Sequence, residues 1–236
     1  MLHSVSDSFN SPLKEWCISK KIFLRFLRCV EEKELETTHF TEIEENKKTP
    51  SKKRKIIISF DDCPKLLFDF AIPELQKRKM KAVFYMPTAY LGGFNAWDAH
   101  KGMPKLELMN EGDLKSLVDE GMEIGSHSHH HIELKNVTNP DQLQKEITLS
   151  KAILESITQK QICSFSYPYG SVPKAYNQLL SNAGYSYGVA IYQPFETKLA
   201  LRRFGVYEKD TLASINHKLS SRYQWSRKLY DAVKKN

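Results

Sequence analysis

Apolar runs alternate with amphipathic stretches along most of this chain. Lys20 to Glu34 sets Ile22, Phe23, Phe26, Leu27 and Val30 on one helical face. Ile56-Ile57-Ile58-Ser59-Phe60 is a continuous, mostly β-branched run, as expected of a strand buried in a parallel sheet. Leu66 to Lys79 reads as helix interrupted by Pro73, and Ala82 to Met86 as a strand ended by Pro87. A long loop, Thr88 to Pro104, precedes a short helix from Glu111 to Glu120 that Gly121 stops. Met122 to Gly125 is a third strand. Asn139-Pro140 then supplies an N-cap followed by proline at the first helical position, with Leu143, Ile147, Leu154 and Ile157 turned inward. Ile162 to Tyr167 predicts a strand, Val172 to Asn182 a helix ended near Gly184, and Tyr185 to Tyr192 and Leu199 to Tyr207 two further strands. From Thr211 the tail is helical.

Strands alternating with helices predict an α/β fold on a parallel sheet, open or closed into a barrel. In such folds chemistry gathers at the C-terminal strand ends. At 236 residues the chain fits one domain with a full core. No run reaches the roughly 18 apolar residues of a membrane span, and the first residues lack the basic and apolar regions of a signal peptide, so a cytoplasmic location is expected. A trimmed N-terminus would read the same way.

The net charge of +7 is uneven. One basic block lies in a linker over 46–55; the other is the tail over 211–236, with Arg222, Arg227, Lys228, Lys234 and Lys235. Each block alone reads most simply as solvated, although an anionic lipid surface or an acidic glycan would also suit it. No helix-turn-helix, zinc-finger or RNA-binding signature accompanies them, which makes nucleic acid a poor partner. Cys17, Cys29, Cys63 and Cys163 form no close pair and read as reduced thiols.

Three polar clusters fall at predicted strand ends. Asp61-Asp62 directly follows the first apolar strand; alone, such a pair is more often a turn or a cap than a site. Gly125-Ser126-His127-Ser128-His129-His130-His131 follows the third. In an extended strand His127 and His131 would lie roughly 13 Å apart. If the chain curls after His127, the two rings become neighbours and, with one carboxylate, make a three-ligand metal site. Ser166-Tyr167-Pro168-Tyr169-Gly170 ends the fourth strand, where Pro and Gly suffice for a turn and backbone N–H groups can also hold an oxyanion.

In combination these clusters resemble the polysaccharide deacetylase (NodB-homology) family, the family-four carbohydrate esterases. Ser59-Phe60-Asp61-Asp62-Cys63-Pro64 is similar to the family's T-F-D-D-G, His127-Ser128-His129-His130-His131 to H-[ST]-x-x-H, and Pro168-Tyr169-Gly170 to its P-Y-G. The resemblance spans about residues 1–206. It implies a distorted (β/α)7-type barrel and a metal-dependent hydrolase that removes an N-acyl group, N-acetyl first, from an amino sugar of a polysaccharide or glycan precursor. It implies one divalent metal, zinc first with cobalt or nickel as alternatives, held by Asp62, His127 and His131. Asp61 would be the general base, and the Tyr169 N–H would face the oxyanion. Trp97, Tyr90 and Tyr167 could stack on sugar rings.

The chain departs from the family pattern at three places. Cys63 replaces the usual glycine and could bring a thiol near the metal. Ser166 stands where the third motif carries arginine, and the later D-x-x-D-W motif is missing, a coherent double loss because that arginine and aspartate pair. A branch with F-[AS]-Y-P-Y-G and an early Y-H-x-V motif shows the same losses; Phe165 to Gly170 and Leu2-His3-Ser4-Val5 match it. By that resemblance His3 is the general acid, and because Met1 stands almost on the motif a truncated first barrel strand is expected. Two His and a carboxylate also describe non-haem iron oxygenases, but those usually sit on all-β folds. A glycan-binding relative without turnover, and a deacylase of a lipid-linked sugar docked at the membrane by the basic tail, share the same motifs. The oligomeric state is left open.

Overall fold

The computed structural model describes residues 1–8, 16–46, 53–102, 104–191 and 196–233. Most of the basic linker (47–52) and Lys234 and Lys235 of the tail lie outside them. In chain order the elements are β1 (Ser4–Val5), β2 (Cys17–Ile18), α1 (Lys20–Glu32), β3 (Glu36–Thr37), α2 (Phe40–Glu45), β4 (Lys55–Ile56), β5 (Ile58–Asp61), α3 (Ala71–Lys77), β6 (Ala82–Met86), α4 (Glu111–Asp119), β7 (Glu123–Ser126), α5 (Pro140–Thr158), β8 (Ser164–Ser166), α6 (Tyr176–Asn182), β9 (Tyr187–Ile191), β10 (Leu201–Arg203), α7 (Leu212–Lys218) and α8 (Ser221–Val233).

Six strands form one parallel sheet in the order β10-β9-β8-β7-β6-β5. Although β5 and β10 are its opposite ends, the Arg203 guanidinium reaches the Asp61 carboxylate at 2.7 Å, so the sheet curls into a half-barrel. Met1–Leu2 spans the seam. Leu2 N–H donates to the Ser59 carbonyl (2.8 Å) and its own carbonyl accepts from Asp61 N–H (2.9 Å), while the Met1 carbonyl accepts from Val206 N–H (3.2 Å). His3 is thereby delivered to the same end of the curl as Asp61.

Helices cover the outside of the curl, with Phe23, Leu27, Leu75, Leu114, Ile147 and Leu154 in one continuous core. Inside, Phe40 of α2 packs with Val83, Tyr85, Cys163, Tyr187 and Val189, so α2 closes the N-terminal end of the barrel. Gly125 is required there, because a Cβ would meet the Tyr85 ring at 2.3 Å.

Most predicted elements form within a few residues of their expected bounds. The Ile56–Phe60 run is the exception: it divides at Ile57, since Lys55–Ile56 pairs with β3 and Ile58–Asp61 with β6. Pro73 also does not interrupt a helix. A 3-10 turn over Lys65–Asp69 ends at Phe70, and Pro73 lies in the first turn of α3, where the missing N–H is harmless. All four cysteines are buried free thiols.

Candidate metal centre and active site

β5 ends at Asp61, and the chain then turns sharply through two left-handed residues, Asp62 (φ 69°) and Cys63 (φ 52°). Ser128 (φ 61°), His131 (φ 54°) and Tyr169 (φ 56°) are left-handed too. Five of the eight non-glycine residues with positive φ among the described residues therefore lie in the loops after β5, β7 and β8. Such a conformation costs roughly 1–2 kcal/mol per residue, so the surrounding contacts must hold it. They are visible in the β7 loop. His127 N–H continues the ladder to Met86, and Thr88 and Ala89 donate to the carbonyls of Ser128 and His129. Ser128 Oγ accepts from His131 N–H at 3.0 Å. The buried Glu146 carboxylate on α5 accepts from the N–H groups of His129 (3.1 Å) and His130 (2.8 Å). This turn, rather than a helical one, makes the His127 and His131 rings neighbours, their centroids 4.8 Å apart.

One ligand atom each from Asp62, His127 and His131 falls within 4.8 Å of the other two. Nε2 of His131 is 3.1 Å and Nε2 of His127 is 3.5 Å from Asp62 Oδ1. His127 Nδ1 lies 2.8 Å from the Ser166 carbonyl, which can only accept. Nδ1 thus carries the proton, and Nε2 turns its lone pair toward the carboxylate. Asp62 Oδ1 is itself buried with no hydrogen-bond partner. A carboxylate oxygen facing the Nε2 atoms of two imidazoles suits a cation, and the two-imidazole, one-carboxylate set suits a divalent metal with open positions. Cys63 does not join them. Burial, then the charges of Asp62 and Asp61, push its thiol well above the ordinary range.

Asp61, 2% exposed, is held from the far edge of the sheet. Arg203 Nη1 donates to Oδ1 and Nη2 to Oδ2, both at 2.7 Å, in a bidentate pair. Nη2 also donates to Ser166 Oγ (2.8 Å) and Nη1 to Ser59 Oγ (3.2 Å). Burial alone would raise the Asp61 carboxyl, but Arg203 and His127 override it and hold it below the ordinary carboxylate range. Ser166 therefore leaves room that an arginine from β10 fills. The guanidinium expected to be lost with the third motif is present, supplied 142 residues from its partner in the chain. Sequence reasoning missed Arg203 because its strand was expected to run on to Tyr207, whereas β10 ends at Arg203 and so puts it at a strand end.

His3 is partly exposed and packs edge-on against Trp16, ring centroids 4.9 Å apart. Burial lowers its pKa, opposed by the negative charges of Asp62 and Asp61. His129 and His130 stay out of the cluster: the first bonds Thr88 Oγ1 (2.8 Å), and the second, half exposed, bonds Glu146 Oε1 (2.6 Å). Above the centre an open groove of about 520 Å³ is lined by Tyr90, Trp97, His130, His131 and Tyr169. Trp97 stacks on His131 at 4.3 Å, and the Tyr169 hydroxyl donates to Asp98 (3.1 Å). Tyr167, expected among the sugar-stacking rings, is buried and donates to the Leu199 carbonyl, so it packs the core instead.

The sequence profile of a family described as polysaccharide deacetylase matches residues 48–188. The chain is 31% identical over 160 residues to "Putative polysaccharide deacetylase YxkH" of Bacillus subtilis (strain 168), covering 68% of this chain and 51% of that protein. It is 24% identical over 195 residues to the poly-beta-1,6-N-acetyl-D-glucosamine N-deacetylase of Staphylococcus aureus (strain MSSA476), covering 78% of this chain and 64% of that one. The chain thus spans between about half and two thirds of the length of these relatives. Among solved structures, the Streptococcus pyogenes deacetylase PplD in complex with acetate shares the fold, with a TM-score of 0.76 at 19% identity over 93% of this chain and 96% of that one.

Proposed function

This chain belongs to the polysaccharide deacetylase family, and from that membership we propose that it hydrolyses the N-acetyl group of an amino sugar in a glycan, with a divalent metal at Asp62, His127 and His131. The observation that carries the reading is the unpartnered Asp62 oxygen facing two imidazole nitrogens, next to a second carboxylate locked by Arg203. A divalent cation there, zinc first, supplies Lewis-acid polarisation of the acyl carbonyl and acidification of water. Asp61 takes the proton from the attacking water. Its low proton affinity suits water that is already acidified, and Arg203 keeps the carboxylate ionised and aimed. The Tyr169 N–H, in its left-handed turn beside His131, is our candidate oxyanion donor. His3 gives its proton to the departing amine, which is too basic to leave as an anion. Tyr90 and Trp97 offer ring faces for the sugar at the groove wall.

The test combines metal analysis of protein purified without chelators or tags with acetate release from a panel of N-acetylated amino-sugar oligomers. One equivalent of metal and acetate release, both abolished by His131→Ala, are expected. Full metal occupancy with no acetate from any member of the panel would leave a glycan-binding protein and overturn the proposal.

A further inference from the structure

We propose that α8, together with the basic segment at its base, is a docking face for an anionic membrane surface. The inference does not depend on the chemistry at Asp62. α8 touches the domain through Tyr223, whose ring packs edge-on against Phe204 (5.9 Å) and His217 (5.2 Å), and through Gln224 and Arg227, which line a cleft against β10. Its opposite side carries Arg222, Trp225, Ser226 and Leu229 at helical spacing. There Trp225 is 68% exposed and Leu229 49%, with Tyr230 at 52% on the flank. A helix that turns tryptophan, leucine and tyrosine outward gains nothing from that side in water, and these are residues that settle at a bilayer interface.

Charge decides the partner. Arg222 and Lys228 are exposed beside the apolar stripe, and Asp231 is the single acid in the helical sequence. The basic block of the linker reaches the base of this helix through the fold: Arg54 Nη2 donates to the Leu219 carbonyl at the turn between α7 and α8 (3.0 Å), 165 residues away in the chain. Lys55 follows it, and Arg202 lines the adjoining cleft. Glu36 lies 3.9 Å from Lys55 and Glu196 lines the same cleft, so this basic segment flanks the base of the helix, while Arg222 and Lys228 are the cations beside the stripe itself. Cations alone would also suit a nucleic acid. The outward leucine would not improve such binding and the aromatics would serve only an unpaired strand, whereas a bilayer with anionic headgroups uses cations, leucine and aromatics at once. None of the described helices is long and apolar enough to cross a membrane, so the contact proposed is peripheral.

The experiment is sedimentation of the full chain with phosphatidylglycerol–phosphatidylcholine vesicles and with pure phosphatidylcholine vesicles. Binding to the anionic vesicles, falling steeply with added salt, is expected. Trp225→Ser with Leu229→Ser should weaken it by about tenfold or more, and Arg222→Ser or Lys228→Ser by about fivefold each. Trp225→Phe with Leu229→Ile should restore it, and thermal melting should be unchanged throughout because these side chains are exposed. Equal sedimentation with both vesicle types, or wild-type binding by the serine double variant, would overturn the proposal. So would light scattering that showed a dimer broken by that variant, since the stripe would then face a second copy. Tighter binding to RNA than to the anionic vesicles would assign the patch to nucleic acid instead.

Discussion

The half-barrel buries two acids inside its curl, and they are handled differently. Glu123, at the start of β7 near the closed end, is satisfied by neutral donors: Thr41 N–H (2.7 Å) and Oγ1 (2.8 Å) on one oxygen, Ser164 Oγ (3.1 Å) on the other. The backbone around it is regular, and α2 seals it in. Asp61, at the opposite end, is balanced by a full guanidinium charge and borders an open groove, and the turns beside it are left-handed. One acid is finished as structure: its hydrogen bonds tie α2 to the sheet. The other sits where Asp62 Oδ1 and His131 Nδ1 are left without hydrogen-bond partners and where left-handed turns are retained. Strained turns and unpaired polar atoms that cluster at one open end of a sheet are a mark of a site that binds something.

The sharpest way to break this comparison is to remove the charge of each acid. Asp61→Asn should lose turnover by several orders of magnitude with the metal retained. It also strands Arg203 in the interior, at a cost of about 3–5 kcal/mol. Asp61→Asn with Arg203→Met should recover most of that stability in urea unfolding and none of the turnover. Metal lost together with activity would make Asp61 a ligand instead. Glu123→Gln, by contrast, should lower stability by about 1–3 kcal/mol through imperfect pairing and leave turnover close to wild type.

The next effect concerns the proton donor. His3→Ala should slow amide hydrolysis by about 10²–10⁴-fold and should slow an activated acetyl ester far less, because that leaving group needs no proton. Equal kinetics for the variant and wild type on both substrates, with His217→Ala impaired on the amide, would move the acid to the C-terminal region.

Smaller and pH-dependent is the stability that Arg203 lends Asp61. Because the folded carboxyl is held below its unfolded value of about 3.9, the contribution is complete above that pH and is lost as pH falls through the folded value. The stability difference between wild type and Arg203→Met should therefore be largest at high pH and shrink as pH falls, starting where the buried, unpaired Asp61 of the variant takes up a proton. A difference independent of pH would show packing, not charge, at that site. Smallest of all, His130→Ala should leave metal content unchanged, since its ring pairs with Glu146 outside the cluster, whereas His131→Ala should abolish tight binding.

Much of the site was legible in the chain because its determinants are local. Asp61-Asp62 directly follows a β-branched run and His127 to His131 follow the short strand predicted over Met122 to Gly125, and the strand-end rule collects both from the sequence. The alternation of apolar runs with amphipathic stretches likewise determined the βα order and the parallel sheet. What the sequence could not decide is who faces whom across the curl. Arg203 meets Asp61 because β10 and β5, the ends of a six-strand order, are brought together by twist and closure, and no spacing in the chain encodes a distance of 2.7 Å between residues 142 apart. The seam at Met1–Leu2, the sealing of the barrel by α2, the hold of Glu146 on the histidine loop and the meeting of Arg54 with the α7–α8 turn are of the same kind. Local periodicity determines which elements form. Charge pairing inside a closed sheet depends on strand order and register, and these exist only once the core has assembled.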